Sequence, residues 1–362
     1  KNKTELMAGF PWFGTWGRDT FIALPGITLS RGDEASFKNV LDTMIATMKG
    51  PLFPNIGRDN KPDYAAVDAP LWFFWCLQEY AGYKNNKSEI WKKYRKPMLA
   101  ILEGFRSGTE YNIHMDENGL LYAGGTGMAL TWMDVFNNGK PVTARSGYAV
   151  EVNALWYNAI SFALELASEA GDNAFINEWE NIPSQIKNTF NQLFVSSSHG
   201  YLADYVFDGY TDWTVRPNML LAVALPYSAV DEEMQNSVLK KIKSDLLTER
   251  GLRSLTPTDV NYKGVYAGNQ NERNLAYHQG TVFPWLLSHF SKAWLRLNGK
   301  SGLPLIEELY AGFEPTLFEA GLGTVSEIYD GDPPHDPKGA ISQAWSIAAL
   351  IQMKQQIDLA KK

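Results

Sequence analysis

Two kinds of helical segment alternate along this chain, and that alternation limits its fold more than any other feature. One kind is apolar nearly all round: 20–29 (TFIALPGITL), 69–81 (APLWFFWCLQEYA), 151–166 (EVNALWYNAISFALEL), 216–226, 277–295 and 341–353. The other carries a charged face opposite an apolar one: 33–49, 87–105, 173–194, 231–247 and 303–320. A helix apolar on all sides must be buried, and a striped helix covers it from outside. Sustained strand alternation is scarce. The expected fold class is therefore all-α, with six inner and five outer helices in strict alternation forming an (α/α)6 toroid. A sixth outer helix would precede Gly9, so the chain is expected to lack its first outer helix and to be a fragment of a longer protein.

Each inner segment follows a loop rich in Gly, Asp, Asn and aromatics, while the outer segments follow short turns. The six long loops then gather on one rim, where inner-helix N-termini present free N–H groups and partial positive charge. A site is expected there. The chain has 12 Trp, 17 Tyr and 18 Phe, many of them in these polar loops, which suggests a binding surface. A net charge of −7 with no basic block argues against nucleic acid or an anionic membrane as partner. No apolar run reaches membrane length. A single cysteine, Cys76, excludes an internal disulfide and a Cys-based zinc cluster, and the five histidines form no HExxH pattern.

The first rim loop, FPWFGTWGRDT, sets Arg18 and Asp19 among Trp12, Phe13 and Trp16. These residues suit a sugar pocket; they equally suit a helix N-cap at Asp19 with Arg18 at the surface. Asp68, just before Ala69 and Pro70, reads as an N-cap. The third loop is the longest and holds LTWMD, in which Trp132 and Met133 would desolvate Asp134 and keep its proton on, as a general acid requires. A surface turn is the plain alternative for Asp134. Glu151 is a competing carboxyl, although the helix dipole accounts for a first-turn Glu. The fourth and fifth loops offer Arg216, Asn218, His278 and Gln279 as hydroxyl-binding candidates, with a core role the plain alternative for His278. In the sixth loop Glu327 stands apart from Asp330 and Asp332, which suit turn chemistry; EF-hand spacing is missing, so no metal is expected. Two carboxyls on opposite loops of one rim fit glycoside hydrolysis, in which one acid protonates the leaving oxygen and one base activates water on the other face of the sugar ring. The residues alone leave open which two carboxyls these are.

The segments AGFPWFGTWGRDT, VDAPLWFFW, LTWMD, VEVNALWYNA, RPN, AYHQGTVFPWLL, SEIYDGDPPH and SQAWS, in this order, resemble the amylo-α-1,6-glucosidase domain of glycogen debranching enzymes. The resemblance runs over nearly the whole chain. It implies an (α/α)6 barrel related to that of glucoamylase, acting with inversion, over residues 1–362 as one catalytic domain. Asp134 would be the general acid and Glu327 the general base. Arg18 and Asp19 would hold the terminal glucose, with Trp12, Trp16 and Trp132 as platforms for the sugar. The implied reaction releases glucose from α-1,6-linked stubs on a branched α-glucan such as glycogen or limit dextrin, in the cytoplasm, without metal or organic cofactor. No segment here resembles the glucanotransferase unit of eukaryotic members or the N-terminal β-rich domain of prokaryotic ones. The run VTARSGYAVEVNALW departs from the family's more polar run at Ala144 and Ser146, on the side that meets the leaving group. Two other functions fit the same residues: an exo-α-1,4-glucosidase of glucoamylase type, and a non-catalytic glucan-binding module.

Overall fold

The computed structural model describes residues 3–55 and 62–362; part of the second rim loop, 56–61, lies outside the described residues. Helices dominate: α1 (Gly17–Thr28), α2 (Glu34–Ile45), α3 (Asp68–Lys84), α4 (Lys87–Ser107), α5 (Val150–Ala170), α6 (Asn173–Trp179), α7 (Ile182–Phe194), α8 (Met219–Ala224), α9 (Glu232–Asp245), α10 (Gln270–Ala276), α11 (Leu286–Asn298), α12 (Leu303–Ala311) and α13 (Ala344–Lys361). The apolar and the striped segments behave differently, as their patterns require. In α3, Trp72, Phe73, Phe74 and Trp75 are buried in succession, so that turn meets water on no face. In α4, Ile90, Trp91, Tyr94, Met98, Ile101, Leu102 and Phe105 form a single buried stripe. Among the described residues no helix is long and apolar enough to cross a membrane.

Helix α13 packs against α1, α1 against α3, α3 against α5, α5 against α8, α8 against α11, and α11 against α13. The α1–α13 contact is close enough to need a glycine. A Cβ on Gly26 would stand 2.8 Å from both Cβ and O of Ala348. Gly26→Val is therefore expected to lower stability by about 1–3 kcal/mol through overpacking. In urea denaturation the midpoint should fall while the slope stays constant.

Most outer segments also begin differently from the inner ones, α12 being the exception. Asp33, Asn86, Asp172 and Asp231 cap α2, α4, α6 and α9 by accepting from the N–H groups of Ser36, Glu89, Phe175 and Met234. None of α1, α3, α5, α8, α11 and α13 has a side-chain cap. The chain enters α1, α5 and α13 in extended conformation, through Trp16, Ala149 and Gln343. Polar side chains in the first turns of the inner helices are thus left for other partners.

Several helical segments are shorter than their patterns predict. Segment 216–226 keeps only α8, between Pro217 and Pro226. Segment 173–194 splits into α6 and α7, where Pro183 enters the first turn of α7. Segment 303–320 stops at Ala311, followed by a 3₁₀ turn at Pro315–Phe318. Segment 277–295 becomes helical only at Leu286, because Val282–Phe283 is recruited into a sheet. That antiparallel sheet runs Pro337–Lys338, Ile328–Tyr329, Val282–Phe283, Gly251–Arg253, Leu247–Thr248, and it ties the fifth and sixth loops together. A two-residue pairing, Gly9 opposite Gln343 and Phe10 opposite Ser342, brings the first loop to the start of α13.

Candidate active site

Arg18, in the first turn of α1, is only 3% exposed. Its Nε and Nη2 donate to the two oxygens of Asp68 at 2.7 and 2.9 Å, and its Nη1 donates to Asp134 Oδ2 at 2.9 Å. Such a planar fork matches a carboxylate in two bonds. The geometry corrects two capping expectations. Trp16, not Asp19, holds the N-cap position of α1, and Arg18 is not at the surface. Val67, not Asp68, precedes α3, and Asp68 caps nothing. Its carboxylate is drawn sideways to the guanidinium, which offers a stronger, charge-assisted bond than a backbone N–H does.

Arg18 thus carries Asp134 on one side and a structural carboxylate on the other. The Asp134 side chain is 28% exposed, the most open of the set. Burial raises the affinity of Asp134 for its proton, and Arg18 pulls in the opposite sense without cancelling it. Glu327 is 3% exposed. Tyr277 donates its hydroxyl to Glu327 Oε1, and the Ala340 N–H donates to Oε2 at 2.8 Å. Burial pushes Glu327 up as well, while these two donors favour its ionised form. The turn that supplies Ala340 depends on Gly339, at φ +70°, where a Cβ would lie 2.3 Å from Glu327 Oε2.

Asp19 accepts from Gln343 Nε2 at 3.0 Å, which joins α1 to the entry of α13. Its pKa is pushed up to about 7, first by burial; Arg18 opposes this, and the charges of Glu327 and Asp134 add to it. Below about pH 4 both folded and unfolded chains hold this proton. Between about pH 4 and the folded value the unfolded chain releases it and the folded chain does not, so stability falls as pH rises, then levels off. Asp19→Asn is expected to remove that slope. Between pH 5 and pH 8 the variant should gain roughly 2–3 kcal/mol relative to wild type in urea denaturation.

These side chains line one cavity of about 220 Å3 together with Phe13, Trp16, Trp132, Tyr277 and Trp345. Trp132 is 4% exposed, and its ring meets His278, Phe283 and Trp285 edge-on at 5.0–5.5 Å. His278 also lines the cavity; burial, reinforced by Arg216, Arg18 and Arg145, drives it well below the usual imidazole range, so it is neutral. Of the residues singled out in the sequence, Arg18, Asp19, Trp16, Trp132, Asp134, His278 and Glu327 come together here. Five of the candidates do not line this cavity; Asn218 is one, its Oδ1 accepting the Trp132 indole N–H at 2.6 Å behind it. Trp12 is 55% exposed. Glu151 is taken up by Arg145. Arg216 props the backbone, donating to the carbonyls of Ser254 at 3.1 Å and His278 at 2.7 Å. Gln279 accepts from Arg216 Nη2 at 2.7 Å and faces a neighbouring cleft with Asn137 and Lys140.

The structure adds residues that sequence reasoning did not single out. Tyr277 holds Glu327 and Gln343 holds Asp19. Gln270, Asn274 and Tyr266 line the mouth of the cavity. Tyr277 and Gln343 lie inside the segments AYHQG and SQAWS, but neighbours in sequence give no sign that their side chains reach Glu327 and Asp19.

Aromatic faces, amides and carboxyls around a small cavity make a site suited to a neutral, hydroxyl-rich ring: the faces stack on its C–H surfaces and the polar groups take its hydroxyls. Two carboxyls with different partners, Asp134 on Arg18 and Glu327 on Tyr277 and Ala340, line the same cavity. The chain belongs to the amylo-alpha-1,6-glucosidase family, whose model matches residues 1–352. It is similar to the glycogen debranching enzyme of Saccharomyces cerevisiae (strain ATCC 204508 / S288c), at 23% identity over 464 aligned residues. That alignment covers 98% of this chain but 30% of the yeast protein, so the chain spans less than a third of its relative's length.

Proposed function

We propose that this chain hydrolyses the single α-1,6-linked glucose stub on a branched α-glucan and releases free glucose with inversion. The observation that carries the reading is that Asp134 and Glu327, far apart in the chain, line one cavity together with Arg18, Asp19 and Trp132. Asp134 gives its proton to the glycosidic oxygen. Glu327, whose ionised form Tyr277 and Ala340 favour against the pull of burial, takes a proton from the water that attacks the anomeric carbon from the opposite face. Arg18 and Asp19 fix hydroxyls of the terminal glucose. At about 220 Å3, the cavity is smaller than the roughly 300–1,000 Å3 of drug-sized ligand pockets, which favours one ring at a chain end. An (α/α)6 toroid is supported by the packing of α1, α3, α5, α8, α11 and α13, each against the next and the last against the first. A longer parent protein is supported by the short share of the yeast relative that is covered.

The experiment is incubation of the protein with limit dextrin and with linear maltooligosaccharides, following the released glucose by proton NMR. The first glucose formed from limit dextrin should be the β-anomer. Glucose from the linear substrate at a higher kcat/KM would favour the exo-α-1,4 reaction. Glucan binding without glucose release would favour a binding module.

A further inference from the structure

Behind the cavity floor, Arg145 lies between Glu151 and Asp204, with all three side chains at most 2% exposed. Its Nε and Nη2 donate to the two oxygens of Asp204 at 2.6 and 3.1 Å. Its Nη1 and Nη2 grip the two oxygens of Glu151, the second at 2.6 Å. Two routes lead from this cluster to the strip 131–134. In one, Arg145 Nη1 donates to Thr131 Oγ1 at 3.2 Å, and that oxygen also accepts the Met133 N–H at 3.3 Å. In the other, Asp204 Oδ1 accepts from Asn218 Nδ2 at 2.7 Å, and Asn218 Oδ1 accepts the Trp132 indole N–H at 2.6 Å.

None of Arg145, Asp204 and Asn218 lines the cavity, whereas Trp132 and Asp134 do. Arg216 Nε stands 3.9 Å from Asp204 Oδ2, so two cations face two carboxylates away from water. A buried ion cluster of this kind is a poor source of stability, because desolvation offsets most of the attraction. What it supplies is direction: every donor of Arg145 is committed, and two of those commitments, to Thr131 and to Asp204, lead on to Met133 and Trp132, which precede Asp134. Arg18 then holds Asp134 itself from the cavity side.

We infer that Arg145, Asp204 and Asn218 are positioning residues that hold Trp132 and Asp134 in place for proton delivery to the leaving oxygen. The inference rests on the reading of Asp134 as the general acid. The test uses Asn218→Ala and Arg145→Lys, with kcat and KM measured on limit dextrin and on α-glucosyl fluoride from the same preparation. A sugar leaving group needs the proton; fluoride needs it far less. The ratio of the two kcat values does not depend on how much of the sample is folded. Both variants should lose roughly 10–100-fold in kcat on limit dextrin with little change in KM, and the loss on the fluoride should be at least tenfold smaller. Equal losses on the two substrates, or no loss on either, would overturn the positioning role while leaving the proposed activity standing. A wild-type protein that turns over neither substrate would overturn both.

Discussion

Asp134→Asn is expected to cut glucose release from limit dextrin by roughly 10²–10⁴-fold, the usual contribution of a general acid. The asparagine oxygen can still accept from Arg18 Nη1, and Arg18 keeps its two bonds to Asp68, so the cavity should survive the change. Only the proton is lost. Turnover of α-glucosyl fluoride should accordingly fall much less than turnover of dextrin. Steady-state rates on both substrates, with a thermal melt of the variant beside wild type, check the claim. Undiminished dextrin hydrolysis would remove Asp134 from the acid role.

Glu327→Gln carries the opposite signature. Water must lose a proton whichever group departs, so both substrates should lose roughly 10²–10⁴-fold or more in kcat. The substitution keeps shape. A glutamine oxygen can accept the Ala340 N–H, and the Tyr277 hydroxyl can turn to accept from the new amide. Glucan affinity should therefore stay close to wild type in calorimetry. A variant with full activity on the fluoride would exclude Glu327 as the base. Taken together, the two variants separate the proton donor from the proton acceptor, since only one of them spares the fluoride.

Much of the fold was legible because it depends on local pattern. All-apolar segments such as 69–81 have one stable place, and striped ones such as 87–105 have another. The pattern failed where a segment had a competing use. Val282–Phe283 lies inside the apolar segment 277–295, yet its backbone pairs with Leu252, Arg253 and Tyr329. Proline set other ends: the helix in 216–226 is confined between Pro217 and Pro226.

The site divides in the same way. Trp16, Arg18, Asp19, Trp132, Asp134, His278 and Glu327 could be picked out as unusual residues in polar loops, and they share the cavity. Asp68 reads in sequence as an N-cap and Glu151 as a first-turn Glu or a competing site carboxyl, because a carboxyl in a first turn looks the same in sequence whether it faces a backbone N–H, a ligand or an arginine from another loop. In the structure Arg18 takes the first and Arg145 the second. Periodicity and residue chemistry act over a few positions, so they set which segments are helical, which are buried and which side chains are chemically suited to a sugar. Which carboxylate each arginine holds, and therefore which acids remain for substrate, depends on contacts between loops distant in the chain. Those are fixed only when the helices pack, because an ion pair forms with whichever partner packing brings within reach once water is excluded.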